Sequence, residues 1–372
     1  MEKNSDDFAS VIQKAMDKAL KERGNVNILI AGKTGVGKST LINAVFQQKL
    51  ATTGQGRPVT PNVREISKEG VPVRIFDTRG LEVANFKETI QAVEKLIKDR
   101  NSNTDPNKHI HVAWICILEG SSRVEEAESQ LAEMLAKYVP TIAVITQAMS
   151  NKGFKNTVQE LLPKVRNVVR VRAEEFIFEE EGYKLPIMGL KELVDLTMEV
   201  VPEGQKNAFV AAQRISLDFK TKNAHTIVAA AAVTAGGIGA TPVPFTDAIA
   251  IVPIQVGMLA GITVAWGLPS DITFLSTLIS GAITGAGATI AGQMAARAGI
   301  QLLGDLLKLI PGPGSIVGGV VNGATAAVLT TAFGEAYIAT LYLLTKDNPD
   351  KEPTAEEIRN QFLKQLKKGN NK

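Results

Sequence analysis

The strongest constraint on the fold is a glycine-rich segment that lies between an apolar run and a helical pattern near the N-terminus. Asn27 to Ala31 is apolar and rich in residues that favour β-strands, and the next residues fit the pattern G-x-x-x-x-G-K-[ST]. Apolar residues at helical spacing follow, namely Leu41, Ile42, Val45 and Phe46. When a strand, a glycine-rich loop and a helix follow one another, the backbone N–H groups of the loop and the N-terminus of the helix surround a phosphate. The segment therefore predicts a nucleotide-binding loop.

The residues of this loop have separate expected roles. The predicted phosphate contacts are Gly32, Lys33, Thr34, Gly35, Val36, Gly37, Lys38, Ser39 and Thr40. We expect the Lys38 ammonium to reach the β- and γ-phosphates, which makes Lys38 a predicted catalytic residue. The Ser39 hydroxyl is a predicted ligand of Mg²⁺.

A second motif, D-T-R-G at residues 77–80, follows two strand-like runs that are typical of a β-hairpin, Asn62 to Ser67 and Val71 to Phe76. An acidic residue at the end of a strand after a phosphate loop is the usual second contact to Mg²⁺, here through water. Asp77 is therefore a predicted nucleotide and metal contact. Gly80 would let its backbone N–H approach the γ-phosphate, and it is a second predicted catalytic residue.

Residues 49–61, KLATTGQGRPVTP, have the composition of a flexible loop, which suits a segment that moves between nucleotide states. Thr60 lies where a hydroxyl could close over Mg²⁺ when a γ-phosphate is present. It directly abuts the following strand, so it is the third predicted catalytic residue and a predicted metal ligand. Thr52 and Thr53 are rivals for this role.

Strand and helix patterns alternate over the next residues. A helical pattern begins at Phe86, His111 to Leu118 is a buried type of strand, and Thr141 to Thr146 is another. The last helix of this series, Gly189 to Val201, is stopped by Pro202. This alternation predicts an α/β fold, a doubly wound sheet with its site at the carboxyl ends of the strands.

Composition limits the classes of function. A formal net charge of +3 over 372 residues gives no global basic field, so we expect no nucleic-acid partner. The acidic N-terminus lacks an apolar signal segment, and the single Cys116 fits a reducing compartment, so we expect a cytoplasmic protein. The three histidines show no ligand spacing, so Mg²⁺ is the only metal predicted.

The chain changes character after residue 224. Six charged side chains occur over residues 225–345, and apolar runs rich in alanine and glycine approach the length that spans a bilayer. Pro253 and the scattered carboxylates favour instead a soluble bundle of helices buried on all sides. We expect an all-α hydrophobic helical domain that contacts the inner membrane, constitutively or conditionally, or that forms a homo-oligomer.

These patterns predict four segments. They are an amphipathic helix over 1–24, a P-loop nucleotide-binding domain over 25–203, the helical domain over 204–346 and a polar, basic tail over 347–372. In the tail, Thr354 and Glu357 have the spacing of a capping box, and Ile358, Phe362 and Leu366 share one helix face.

With the phosphate loop, the loop threonine, D-T-x-G and a strand ending in V-I-T-Q, the first 200 residues resemble Era-like GTPases of the translation-factor class. The runs HVAWICILEGSSRVEEAESQLAEML, GLKELVDLT, PVPFTDAIAIVPIQVGMLAGI and IPGPGS resemble bacterial GTPases with a C-terminal YcjF-type hydrophobic helical domain. The resemblance implies that GTP and GDP bind with Mg²⁺ on Ser39 and Thr60. It also implies that Asp77 and Gly80 sense the γ-phosphate.

Two departures from the family pattern keep alternatives open. The guanine-recognition motif [NT]-K-x-D aligns on Thr146-Gln147-Ala148-Met149, so Thr146 and Gln147 are predicted nucleotide contacts, but Met149 replaces the guanine-binding Asp. Without that acceptor, ATP remains an alternative to GTP. Leu81 stands where many GTPases place a water-orienting Gln, which predicts slow intrinsic turnover.

The main hypothesis is a nucleotide-switched GTPase whose helical domain contacts a membrane or oligomerises. One alternative is an ATP-using version of the same switch. Another is a membrane-remodelling GTPase of dynamin-like or interferon-inducible-like type. The last is a membrane-interaction module that binds nucleotide without hydrolysing it.

Overall fold

The computed structural model describes residues 2–46, 50–53, 55–60, 62–78, 86–150, 152–180, 182–238, 247–269, 273–275, 278, 323–349 and 352–368. Gly24–Ser216 form one unit, here called the sheet unit. Met1–Arg23 and Leu217–Lys372 form the other, here called the helical unit. The division differs from the expected segments, because the N-terminal helix and the tail both belong to the helical unit.

The sheet unit contains a seven-stranded mixed sheet with the order β2-β3-β4-β1-β5-β6-β7. Its strands are β1 (Val26–Ala31), β2 (Gln55–Thr60), β3 (Val63–Ser67), β4 (Val73–Thr78), β5 (Val112–Leu118), β6 (Thr141–Thr146) and β7 (Asn167–Arg170). β1 pairs in parallel with β4 and β5, and the parallel pairing continues through β6 to β7. β3 pairs antiparallel with β2 and β4, so the predicted hairpin is confirmed.

Helices cover both faces of this sheet. They are α2 (Lys38–Val45), α3 (Leu50–Thr53), α4 (Phe86–Asn101), α5 (Glu126–Tyr138), α6 (Phe154–Leu161), α7 (Leu190–Val200) and α8 (Glu203–Ala212). On one face α4, α5 and α6 share a core with the strands. On the other face the Phe46 ring stacks on the Trp114 ring, with the two ring centroids 5.8 Å apart, and it packs edge to face with the Phe209 ring. The predicted α/β fold is confirmed.

Residues 49–61 differ from the expected flexible loop. Leu50–Thr53 is a helical turn, and Gln55–Thr60 is an edge strand paired with β3, so the prediction is wrong for the described residues. Pro58 is tolerated because an edge strand leaves one side of its backbone unpaired, and the pairing register shifts between Pro58 and Thr60.

The sheet unit also extends beyond residue 203, where we expected it to end. Pro202 ends α7 but is the N-cap of α8, which packs Phe209 into the sheet core. Gln213 then bridges to Phe46, and the Arg214 Nε donates to the Ala44 carbonyl oxygen at 2.9 Å. These long-range contacts hold residues 203–216 in the sheet unit.

The described helices of the helical unit are α1 (Glu2–Arg23), α9 (Leu217–Ile238), α10 (Asp247–Trp266), α11 (Gly323–Thr345) and α12 (Ala355–Lys368). α1 packs on α10, α9 packs on α10 and α11, and α12 packs on α11. In α12, Phe362 meets the rings of Phe333 and Tyr337 edge to face. Thr354 and Glu357 exchange hydrogen bonds between side chain and backbone, so the capping box is confirmed.

Within the described residues, one helix segment, Ala326–Thr345, is long and apolar enough to cross a membrane by length and composition. Of its most apolar window, 41% is buried inside the protein. The core helix of a soluble protein has the same properties, so this segment fits both expectations for the apolar half. Residues 279–322, which carry further apolar sequence, lie outside the described part of the chain.

Lys220 places a titratable group inside the helical unit. Its side chain is fully buried, and its Nζ donates to the Trp266 carbonyl oxygen at 2.6 Å. Burial lowers the pKa of Lys220 from 10.5 to about 7, because an ammonium ion loses its hydration in the protein interior. The unfolded chain therefore binds more protons than the folded chain between these two pH values.

We expect the free energy of unfolding of the helical unit to rise by a few kcal/mol, on the order of 1.4 per pKa unit, as pH increases from about 7 to 10. The free energy of unfolding rises with pH because the cost of burying an ammonium ion disappears once Lys220 is neutral in both the folded and the unfolded state. Urea denaturation followed by circular dichroism at several pH values measures it. Lys220→Met should remove most of the slope and the exposed Lys222→Met should keep it. A flat wild-type profile would contradict this account.

Candidate nucleotide-binding site

The loop between β1 and α2 depends on two glycines. Gly32 has a φ of 148°, and a Cβ atom there would lie 2.5 Å from the Cys116 carbonyl oxygen, so only glycine fits against β5. Gly37, with a φ of 90°, is the N-cap of α2. The loop therefore brings the first N–H groups of α2 to the carboxyl end of β1, where the helix dipole favours an anion.

The Lys38 side chain folds back onto this loop. Its Nζ donates to the carbonyl oxygens of Gly32 at 2.9 Å and Lys33 at 3.0 Å. The ammonium group is thus held beside the N–H groups that would surround a phosphate. Among the other predicted phosphate contacts, three residues are exposed (Thr34, Gly35 and Ser39), three are partly exposed (Lys33, Gly37 and Thr40), and Val36 is buried.

Lys33 anchors the loop to the neighbouring helix. It forms an ion pair with Glu125, the N-cap of α5, whose side chain also takes part in a capping box with Glu128. The hydrogen bond from Lys33 lowers the pKa of Glu125. The ion pair therefore fixes one side of the phosphate loop.

Asp77 lies near the end of β4, opposite Ile30 in the parallel register with β1. Its Oδ1 is buried without a hydrogen-bond partner in the described part of the chain, and its Oδ2 lies 3.6 Å from the Arg64 Nη2. Burial raises the pKa of Asp77, against the opposing effects of the Lys38 and Arg64 charges. A buried carboxylate oxygen without a partner fits the hydrated Mg²⁺ that we expected here.

The structure does not bring Thr60 to the phosphate loop. Thr60 ends the edge strand β2, three strand spacings or roughly 14 Å from β1. Its Oγ1 accepts the backbone N–H of Asn62 at 3.3 Å. Its role at Mg²⁺ stays a prediction. Gly80, Leu81 and the side chains of Thr52 and Thr53 lie outside the described residues.

A cavity of about 190 Å³ opens beside the phosphate loop. Its walls are formed by the start of α2, the end of β6 and the segment after β7. Four predicted contacts line it, namely Gly37, Thr40, Thr146 and Gln147. The other six lining residues were not predicted as site residues: Leu41, Val171, Arg172, Ala173, Glu174 and Phe176. The lining combines one aromatic ring with several polar side chains, a combination that is common in small-molecule sites.

Gln147 connects the end of β6 to the phosphate loop. It has a φ of 52°, and its Nε2 donates to the Gly35 carbonyl oxygen at 3.2 Å. The Thr146 hydroxyl is buried and donates to the Ile117 carbonyl oxygen at 3.2 Å. Gln147 thus braces the loop, and Thr146 joins two strands.

Glu119, which was not predicted as a site residue, holds the segment after Gln147. Its carboxylate accepts the backbone N–H groups of Met149 at 2.5 Å and Ser150 at 2.8 Å and the Arg170 Nε at 2.6 Å. Burial by itself raises the pKa of Glu119, but these hydrogen bonds outweigh it and leave the pKa below its usual value. The available sequence signal was an acidic residue directly after the apolar run that forms β5.

We expect Glu119→Gln to lower the free energy of unfolding of the sheet unit by about 1 to 3 kcal/mol, because an amide cannot replace the charge opposite Arg170. Glu119 stabilises the folded state above the unfolded pKa near 4.5 and loses this effect as pH falls through the lower folded value. Urea denaturation at pH 7 and pH 4 measures both effects. The exposed Glu126→Gln is the control, and equal stability of the two variants at pH 7 would contradict the role of Glu119.

The chain matches two family models. Residues 27–147 match the family described as 50S ribosome-binding GTPase. Residues 205–368 match a domain of unknown function, DUF697. The first match begins at β1 and ends at Gln147, so it contains the phosphate loop and the described part of the second motif.

Several curated proteins are similar to part of the chain. The tRNA modification GTPase MnmE of Syntrophomonas wolfei is 24% identical over 197 residues, which are 52% of this chain and 41% of that protein. GTPase Der of Helicobacter hepaticus is 20% identical over 215 residues, or 52% and 42% of the two chains. Translocase of chloroplast 108 of Physcomitrium patens is 45% identical over 56 residues, or 14% and 6%. The chain therefore spans less than half the length of these relatives.

A solved structure is also similar to this chain. It is a crystal structure of Era in complex with MgGDPNP and nucleotides 1506–1542 of 16S ribosomal RNA. The match has a TM-score of 0.31 and 16% identity, and it covers 48% of this chain and 58% of that chain.

Proposed function

We propose that this chain, which carries a P-loop GTPase domain of the 50S ribosome-binding GTPase family followed by a DUF697 domain, is a nucleotide-switched enzyme that hydrolyses GTP. The observation that carries this proposal is the loop in which Gly32 is sterically required and the Lys38 ammonium is held beside the start of α2. A phosphate chain in this loop would accept hydrogen bonds from backbone N–H groups and from Lys38.

The residues that would hold Mg²⁺ are Ser39, at the start of α2, and Asp77, whose Oδ1 is buried without a partner among the described residues. When bound there, Mg²⁺ supplies positive charge against the triphosphate. Lys38 would exchange the carbonyl oxygens of Gly32 and Lys33 for phosphate oxygens. Thr60 and Gly80 remain our proposed γ-phosphate contacts, and Thr60 reaches the site only if the end of β2 moves inward.

Phosphate release from GTP and from ATP, with Mg²⁺ and with EDTA, tests this function. We expect slow GTP hydrolysis that EDTA abolishes, because Leu81 cannot orient an attacking water. Turnover of ATP at an equal or faster rate would contradict GTP as the substrate and favour ATP. Binding of GTP without any turnover would favour the non-hydrolysing alternative.

We further propose that the helical unit responds to the nucleotide and contacts a membrane. The support is composition together with exposed apolar side chains on its helices, such as Val233 at 77% exposure on α9 and Val328 at 54% on α11. Flotation of the full chain with liposomes, in GDP and in a non-hydrolysable GTP analogue, tests this. Nucleotide-dependent flotation supports it, and sedimentation as a larger species without flotation would favour a homo-oligomer instead.

A further inference from the structure

The guanine-binding position of the family pattern carries no carboxylate in this chain. Met149, which stands at the expected guanine-binding position, is 49% exposed and is not a described lining residue of the cavity. The N–H groups of Met149 and Ser150 are bound by Glu119. The segment directly after β6 therefore presents no carboxylate to the cavity.

The segment after β7 does present one. Glu174 is the only carboxylate among the described residues that line the cavity, and it is exposed. It forms no ion pair or hydrogen bond within the described residues, whereas the neighbouring Glu175 binds the Lys184 Nζ at 3.1 Å. The Glu174 carboxylate is therefore available to a ligand.

Arg172 holds this segment in place. Its buried guanidinium donates to the carbonyl oxygens of Ala148 at 2.7 Å and Pro186 at 2.5 Å, and its backbone pairs with Met188. The wall that carries Glu174 is thus fixed to the segment after β6. Phe176 lines the same cavity and offers a ring on which a base can stack.

We propose that Glu174 is the residue that selects guanine, with its carboxylate accepting the N1–H and the C2 amino group of the base. This inference rests on the proposed function. Guanine offers these two donors side by side, whereas adenine has an acceptor at N1 and no amino group at C2. A carboxylate at residue 174 would therefore replace the acceptor that position 149 lacks, and it would reject ATP.

Competition against a fluorescent guanine nucleotide tests the proposal on the full chain, with GDP, inosine diphosphate, xanthosine diphosphate and ADP. In the wild type we expect GDP to bind best, because inosine lacks the C2 amino group and xanthosine has a carbonyl there. Glu174→Gln should weaken GDP about 10- to 100-fold. It should also strengthen xanthosine diphosphate, because an amide can accept from N1–H and donate to the C2 carbonyl. Glu175→Gln is the matched control and should change neither affinity.

The gain in xanthosine affinity separates recognition from damage, because an unfolded variant cannot bind a new ligand more tightly. A Glu174→Gln chain with wild-type preferences, or a wild type that binds ADP as well as GDP, would overturn the role of Glu174 and leave the phosphate site intact. A wild type that binds none of the four nucleotides would overturn the proposed function as well.

Discussion

Lys38→Ala is expected to weaken the binding of a GTP analogue by at least about 100-fold. The Lys38 Nζ is held on the carbonyl oxygens of Gly32 and Lys33, beside the N–H groups at the start of α2. Each charge-assisted hydrogen bond to a phosphate contributes about 1.5 to 3 kcal/mol, so losing the ammonium removes two or more orders of magnitude of affinity. Equilibrium titration with a non-hydrolysable GTP analogue measures the effect.

The loss should not come from unfolding. Lys38 is partly exposed, and the carbonyl oxygens that it leaves lie in a loop next to solvent-exposed Thr34 and Gly35. The thermal unfolding midpoint of the nucleotide-free variant should therefore stay close to that of the wild type. Lys155→Ala, which removes an exposed ammonium paired with Glu192 on the surface, should leave affinity unchanged. An unaltered affinity in Lys38→Ala would contradict the assignment of the loop.

Gly189→Ala is expected to lower the free energy of unfolding of the sheet unit by about 3 kcal/mol or more. Gly189 precedes α7 with a φ of 75°, and a Cβ atom there would overlap the Arg170 carbonyl oxygen, so the backbone after β7 must move. That movement would also pull Arg170 away from Glu119 and disturb the cavity wall at Arg172. Urea denaturation and nucleotide titration measure the two effects.

Gly182→Ala is the matched control for this substitution. Gly182 has a similar φ of 66°, but a Cβ atom there would meet no described atom within 4 Å. It should lose only the roughly 1 kcal/mol that an L-residue costs in the left-handed region. Equal destabilisation by the two substitutions would show that the contact with Arg170 has no energetic importance.

The parts of the fold that could be predicted are those that local sequence determines. β1, the glycine-rich loop and α2 follow one another, so spacing alone predicts them. β5 and β6 are buried on both faces, and their continuous apolar runs are typical of strands buried in this way. The GTPase assignment followed from the same local motifs.

The missed parts depend on contacts between distant residues. β2 contains glycine and proline, and it becomes a strand because β3 supplies backbone partners. α8 belongs to the sheet unit because Phe209 packs on Phe46, which no local pattern reveals. Likewise, Glu119 and Glu174 have functional interest only because β5, β6 and β7 end at the same edge of the sheet.

The central claim, that the segment between β1 and α2 binds the triphosphate of a guanine nucleotide, is tested most directly by titrating the purified full chain with GTP in the presence of Mg²⁺. We predict saturable binding of one GTP per chain, weakened by EDTA and stronger than the binding of ATP. A chain that binds no purine triphosphate under these conditions would contradict the account.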